Sequence, residues 1–210
     1  MANLTDGILA EGGFATWNPR PNTTSRFVAP PKTSPDKFSR QVRFVRNMQR
    51  HGKAFFAINE WGAGADYGLN PSEVPYNITG PHNRGIRQFV TAAYMMVNGG
   101  SAGVFLTCIQ CYGGHAGGLG NLSIWREYAA PVGFPLGEPA IDANTGVWSR
   151  EYSNGVALVN PNNMSQTALL PRDAGADWHD LYGNRQGGGA VTLEAASGLV
   201  LLKQAAAQVV

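Results

Sequence analysis

At 210 residues, 43% of them hydrophobic and only 14% charged, with a net charge of +2, the chain can bury a substantial core. It has no electrostatic basis for holding nucleic acid or an anionic membrane. Its apolar runs break within about a dozen residues, short of the roughly 20 that a membrane-spanning helix needs. The 27 glycines and 13 prolines favour short strands and shaped loops over a helical bundle.

Met1 to Asp6 lacks the basic and apolar regions of a secretory signal. Residues 6–14 read as a first strand whose apolar run stops at Glu11, followed by Gly12, Gly13 and Phe14. From Asn18 to Pro35 the Pro/Thr/Ser-rich sequence predicts a long loop. Ser34 as N-cap, Pro35 at the first helical position and Asp36 in the first turn then open a helix. Phe38, Val42, Val45 and Met48 recur at helical spacing, and His51-Gly52 ends it. Arg40, Arg43, Arg46 and Arg50 read as a solvated face.

Residues 53–61 form a second predicted strand, again ending at an acid, Glu60, between Asn59 and Trp61. After another long loop, a helix over about 82–98 carries Ile86, Phe89, Val90, Ala93 and Val97, and stops at Asn98-Gly99-Gly100. A third strand runs from Gly103 to about Ile109, Gly-rich sequence follows, and a short helical segment is expected around 124–128.

Cys108 and Cys111 form one Cys-x-x-Cys, with His115 four residues on. A closed structural zinc site needs four ligands and no second cysteine pair exists, so buried thiols are the first reading. A local disulfide and a metal site stay as alternatives. No cofactor and no metal is expected. Sequons begin at Asn3, Asn22, Asn77, Asn121 and Asn163, and matter only in a eukaryotic secreted protein.

Strand, long loop, helix, repeated, implies a parallel sheet with helices packed on it. Long loops after the strands and short turns after the helices suit a (β/α) barrel, whose working face is built from the post-strand loops. Near residue 145 the pattern changes. Segments at 155–160, 166–170, 178–182, 190–194 and 198–203 read as short strands with turns about every ten residues, a small antiparallel β-sandwich. The expected fold class is therefore α/β: a partial TIM-type barrel of about three βα units over 1–145, a β-sandwich over 146–204 and a tail at 205–210.

With these pieces in place the chain resembles the C-terminal part of barrel-type glycoside hydrolases. In those proteins a barrel strand ending like Asp6 to Glu11 is followed by later barrel strands and a C-terminal β-domain. The β-domain carries most of the likeness: Arg150, Tyr152, Gly155 to Pro161, Leu169 to Pro171, Asp180 to Gly183 and Val191 to Leu202. The resemblance implies carbohydrate-active ancestry, a carbohydrate partner and, by extension, a secreted or extracellular setting. It implies no particular sugar.

A complete barrel has eight strands and about 250 residues, against about three βα units here. Either the chain is a fragment, or a partner chain completes the barrel, or the sheet is an open remnant. An open parallel sheet leaves an edge and an apolar face, so a homo-oligomer or a completing partner is expected.

Glu11 and Glu60 are the expected catalytic pair, one a protonated acid and the other a nucleophile or general base. The competing reading makes each a loop cap or an arginine partner. Asn59 and Trp61 beside Glu60 supply an amide for a sugar hydroxyl and an indole for a ring face; Trp17, Asp66, Tyr112 and His115 lie in post-strand loops and complete the expected substrate site. Trp148 is expected at a domain interface, and Trp178 and Tyr182 in the core. The rival reading is a non-catalytic structural or carbohydrate-binding protein built on an incomplete barrel.

Overall fold

The computed structural model describes residues 6–11, 13–14, 34–61, 81–99, 102–108, 126–171, 177–187 and 189–204. At 11, 58–61, 81–83, 86, 102–108, 126 and 204 it describes the backbone alone. The chain is mixed α/β. Strands β1 (Gly7–Glu11), β2 (Ala54–Trp61) and β3 (Ala102–Cys108) form a parallel sheet in the order β1-β2-β3. Helix α1 (Pro35–Arg50) lies between the first two strands in sequence, and α2 (Pro81–Val97) between the second and third.

Helix α1 begins where its capping residues predict. The Ser34 hydroxyl accepts from the Lys37 amide at 3.2 Å, which satisfies one of the helix's free N–H groups, and Pro35 costs nothing at the first position. Phe38, Val42, Val45 and Met48 are buried as one stripe. At the C-terminal end Gly52 takes φ +68°, a conformation that a Cβ disfavours, and turns the chain into β2.

On the arginine face of α1, Arg40, Arg43 and Arg50 are exposed as expected, and Arg46 departs. Arg46 is only 13% exposed, because its guanidinium bonds the Glu138 carboxylate on the segment leading to the antiparallel strands. Arg50 stays exposed, 3.5 Å from the same carboxylate. The acid that draws Arg46 in lies far away in sequence, so helical periodicity carries no trace of it.

The C-terminal end of α2 is held from two directions. Gln49 of α1 donates to the Val97 carbonyl at 2.5 Å and accepts from the Gly99 amide at 2.7 Å. Arg150 donates to the Met95 and Asn98 carbonyls at 2.9 and 2.8 Å, and the Tyr152 hydroxyl donates to Met95 at 2.7 Å. Helix-end carbonyls without intrahelical partners are thereby satisfied, by a cation at the negative end of the helix dipole.

Beyond a 3-10 turn at Arg126–Ala129, where a short helix over 124–128 is expected, the chain is antiparallel. Strands β4 (Ala140–Ile141), β5 (Trp148–Tyr152), β6 (Gly155–Asn160), β8 (Asp177–Asp180), β9 (Arg185–Gln186) and β11 (Ser197–Gln204) form a six-stranded sheet ordered β4-β5-β6-β11-β8-β9. Strands β7 (Gln166–Leu169) and β10 (Ala190–Leu193) pair as a two-stranded ribbon. Strands β4 and β9, two residues each, are too short to show period-two alternation.

Strand β6 explains the continuous apolar run from Gly155, because both its faces are buried. Val156 and Leu158 join Ala168, Leu170, Trp178, Val191, Leu193 and Leu201 in a core shared with the ribbon. Ala157 and Val159 join Phe89, Val90, Trp148 and Val200 in a core shared with the helices. Trp148 meets Phe38 of α1 edge-on, centroids 5.6 Å apart, a contact worth about 0.5–1.5 kcal/mol beyond its buried area. Gly198 of β11 sits against α2 so closely that a Cβ there would lie 2.7 Å from Phe89 Cα. Among the described residues, no helix is long and apolar enough to cross a membrane.

Candidate active site

The parallel sheet has two unlike faces. Ile8 and Ala10 of β1 stand in register with Phe55 and Ala57 of β2 and pack with them toward the helices. The alternate pair, Leu9 and Phe56, is 61% and 51% exposed. Side chains alternate faces along a strand. Positions 11, 58 and 60 therefore share the parity of Leu9 and Phe56, since Glu11 is in register with Ile58.

Glu11 is the last residue of β1, and Glu60 stands one residue before the end of β2. Both occupy the C-terminal end of the sheet, on adjacent strands and at the same parity. With strands about 4.8 Å apart and a rise of about 3.3 Å per residue, a two-residue offset puts the two Cα atoms about 8 Å apart. Asn59 and Trp61 fall at the other parity, in register with Leu106 and Cys108 of β3, while Glu60 is in register with Thr107. Trp17, Asp66, Tyr112 and His115 lie outside the described residues, as does Cys111.

Helix α2 returns the chain from the C-terminal end of β2 to the start of β3, so its first turns belong to the same end of the sheet as Glu60. A polar cluster lies there that sequence reading misses. Arg87 Nε donates to Glu127 Oε1 at 3.1 Å, with the two side chains 4% and 1% exposed. The Tyr182 hydroxyl, from the turn after β8, donates to the same carboxylate oxygen. The Arg84 guanidinium lies 4.2 Å from the centre of the Tyr182 ring. Burial, then the Glu127 carboxylate, pushes the Tyr182 phenol up to about 12. Tyr182 packs half-buried against the main core, as expected, and its hydroxyl in addition joins a buried ion pair. Its one sequence signal is an aromatic with a polar tip beside turn residues.

Trp178 is buried in the ribbon core, with the Lys203 amine 5.8 Å from its ring centre. That leaves no indole face open at this position for a sugar. Asn163 is exposed in the turn between β6 and β7, while the other four sequons begin outside the described residues.

No protein-family model and no curated protein matches the chain. Among solved structures it is similar to a crystal structure of an Anoxybacillus alpha-amylase, described as giving insights into a new glycosyl hydrolase subclass. The identity is 12% and the TM-score 0.35, over 80% of this chain. The chain spans 42% of the length of that amylase.

Proposed function

We propose that this is a glycoside hydrolase-like protein acting on a polysaccharide or oligosaccharide through Glu11 and Glu60. The observation that carries the reading is their common end and parity on adjacent parallel strands, on the face turned away from the helices. Glycosidic cleavage uses two carboxyl groups, one protonating the departing oxygen and the other attacking the sugar or activating water. Carboxyls about 5–5.5 Å apart give retention and about 6.5–9.5 Å inversion, and a Cα spacing of about 8 Å is compatible with both. Asp66, Tyr112, His115 and Trp17 are the proposed sugar-contacting residues of the post-strand loops; Asn59 and Trp61, at the parity opposite to Glu60, are proposed as contacts only at the rim where β2 ends.

The architecture we propose is a partial (β/α) barrel over 1–145 and a β-sandwich over 146–204. Exposed Leu9 and Phe56 on the Glu11/Glu60 face support further strands, from a second copy or a partner chain, covering that face.

Release of reducing sugar across a polysaccharide panel, with solution mass measured in parallel, tests the reading. Turnover that Glu60→Gln and Glu11→Gln each abolish supports it. A well-folded oligomer inert on every substrate overturns it in favour of a non-catalytic carbohydrate-binding or structural role.

A further inference from the structure

Helix α1 gathers cations on its outer side. At about 100° per residue, Arg40, Arg43, Asn47 and Arg50 fall within about 80° of arc, opposite the buried stripe of Phe38, Val42, Val45 and Met48. All four are exposed, and Phe44, 47% exposed, borders the same arc. Arg46 lies outside the arc, bonded to Glu138, and Arg50 shares that carboxylate. Arg40 and Arg43 form no ion pair among the described residues. The one acid of the helix, Asp36, lies in the first turn, where it complements the helix dipole. Like charges three residues apart are neighbours on a helix and repel, so the pair at 40 and 43 does not serve the helix itself.

We propose that Arg40, Arg43 and Phe44 form a docking site for a polysaccharide bearing carboxylate groups. This rests on the reading of the protein as glycoside hydrolase-like and narrows its substrate class to acidic glycans. A guanidinium pairs with a carboxylate through a planar two-point fork, and an exposed phenyl face stacks on the apolar face of a sugar ring. An acidic glycan uses both groups at once. A nucleic-acid strand carries a charge about every 3.4 Å and is held by many cations, which a chain of net charge +2 does not gather.

The position suits a polymer that also reaches the proposed acids. Gln41 donates to the Gly13 carbonyl at 2.6 Å, which sets the second turn of α1 beside the chain just past Glu11. The docking site therefore begins at the Glu11 end of the sheet and lies on the outside of the helix. There it holds a remote stretch of polymer without touching the bond that breaks.

The experiment is calorimetric binding of the full chain to polygalacturonate, to the same polymer with its carboxyls methyl-esterified, and to a thymidine oligonucleotide. Polygalacturonate should bind, more weakly as salt rises, and the ester and the oligonucleotide should not. Arg40→Gln with Arg43→Gln should weaken binding about fivefold or more, and lysine at both positions should restore only part. Phe44→Leu should weaken it without changing the salt dependence. Arg185→Gln removes one exposed charge elsewhere, on β9, and should leave binding unchanged. Melting midpoints confirm that each variant is folded; if the double variant is not, Arg43→Gln alone is measured. Equal binding of the ester, preference for the oligonucleotide, or an affinity indifferent to Arg40 and Arg43 overturns the proposal. The measurement needs no cleavage. Polygalacturonate bound through these arginines but never cut, in a protein inert on every glycan, would sink the hydrolase reading and leave the docking site standing. Turnover of a neutral glycan without polygalacturonate binding would sink the docking site alone.

Discussion

Arg87 and Glu127 form an ion pair at 3.1 Å with almost no exposure of either side chain, and it ties helix α2 to the 3-10 turn that leads into the antiparallel strands. Desolvating two charges offsets much of their attraction, so the pair is weak evidence for net stability. Losing one member, however, strands the other in a dry environment. Glu127→Ala should cost about 3–5 kcal/mol, and Arg87→Met with Glu127→Leu together should cost much less than the sum of the singles. Denaturant midpoints of the two singles and the double decide it; additive losses would show that the pair is not coupled.

The Tyr182 phenol, raised from 10.0 to about 12, links the same cluster to pH. The folded chain holds this proton more tightly than the unfolded chain. Its contribution to stability is therefore complete below about 10 and is lost as pH rises through about 12. Burial raises Tyr94 and Tyr152 in the same sense. Tyrosinate absorbance of the native protein should lag that of the urea-unfolded chain. Tyr182→Phe should shorten the lag and flatten the alkaline loss of stability; an unchanged lag contradicts the assignment.

Gly198 supplies a steric test. A Cβ at this position would meet Phe89 Cα at 2.7 Å and Ala92 Cβ at 3.0 Å, so Gly198→Ala must push α2 from the sheet. Overpacking of this kind costs about 1–3 kcal/mol. Gly187→Ala, with nothing within 4 Å of the added Cβ, should change the melting midpoint little. Equal effects of the two substitutions would mean that the helix yields freely.

Arg150 should be intolerant for a different reason. Its guanidinium serves Gly137, Met95 and Asn98 carbonyls together, and Arg150→Ala removes all of those donors. We expect a loss of about 1–3 kcal/mol from the charged hydrogen bonds to the Gly137 and Asn98 carbonyls, the Met95 carbonyl keeping its donor in the Tyr152 hydroxyl. Arg150→Lys should recover only part of it, because an ammonium cannot reproduce the planar fork. Chemical denaturation compares the three chains; full recovery by lysine would make charge, not geometry, the operative feature.

For the proposed site, Glu60→Gln and Glu11→Gln should each lower turnover by about 10²–10⁴-fold once a substrate is found, the usual contribution of a positioned acid or base. Both variants should keep the melting midpoint of the parent as a single chain, in which the face they share with Leu9 and Phe56 is exposed. Loss of folding together with activity would assign the acids to structure.

Local sequence determined the elements. The Ser34 cap, the stripe from Phe38 to Met48, the glycine turn at 52 and the acid-terminated strands at Glu11 and Glu60 are all readable, because caps and hydrophobic periods act within a few residues of chain. The apolar run of β6 announces a strand in the same way, and the assembled structure adds that both its faces are buried. What the sequence alone could not supply is which residues meet. Register set Glu60 beside Thr107 and Glu11 beside Ile58, and gave Asn59 and Trp61 the opposite parity to the acid between them. Packing brought Glu138 to Arg46, Arg150 to the end of α2, and Glu127 to Arg87 and Tyr182. Those pairs span long stretches of chain, and their partners are selected by the shape and dryness of the assembled core. No local pattern encodes that, so only the tertiary structure decided it.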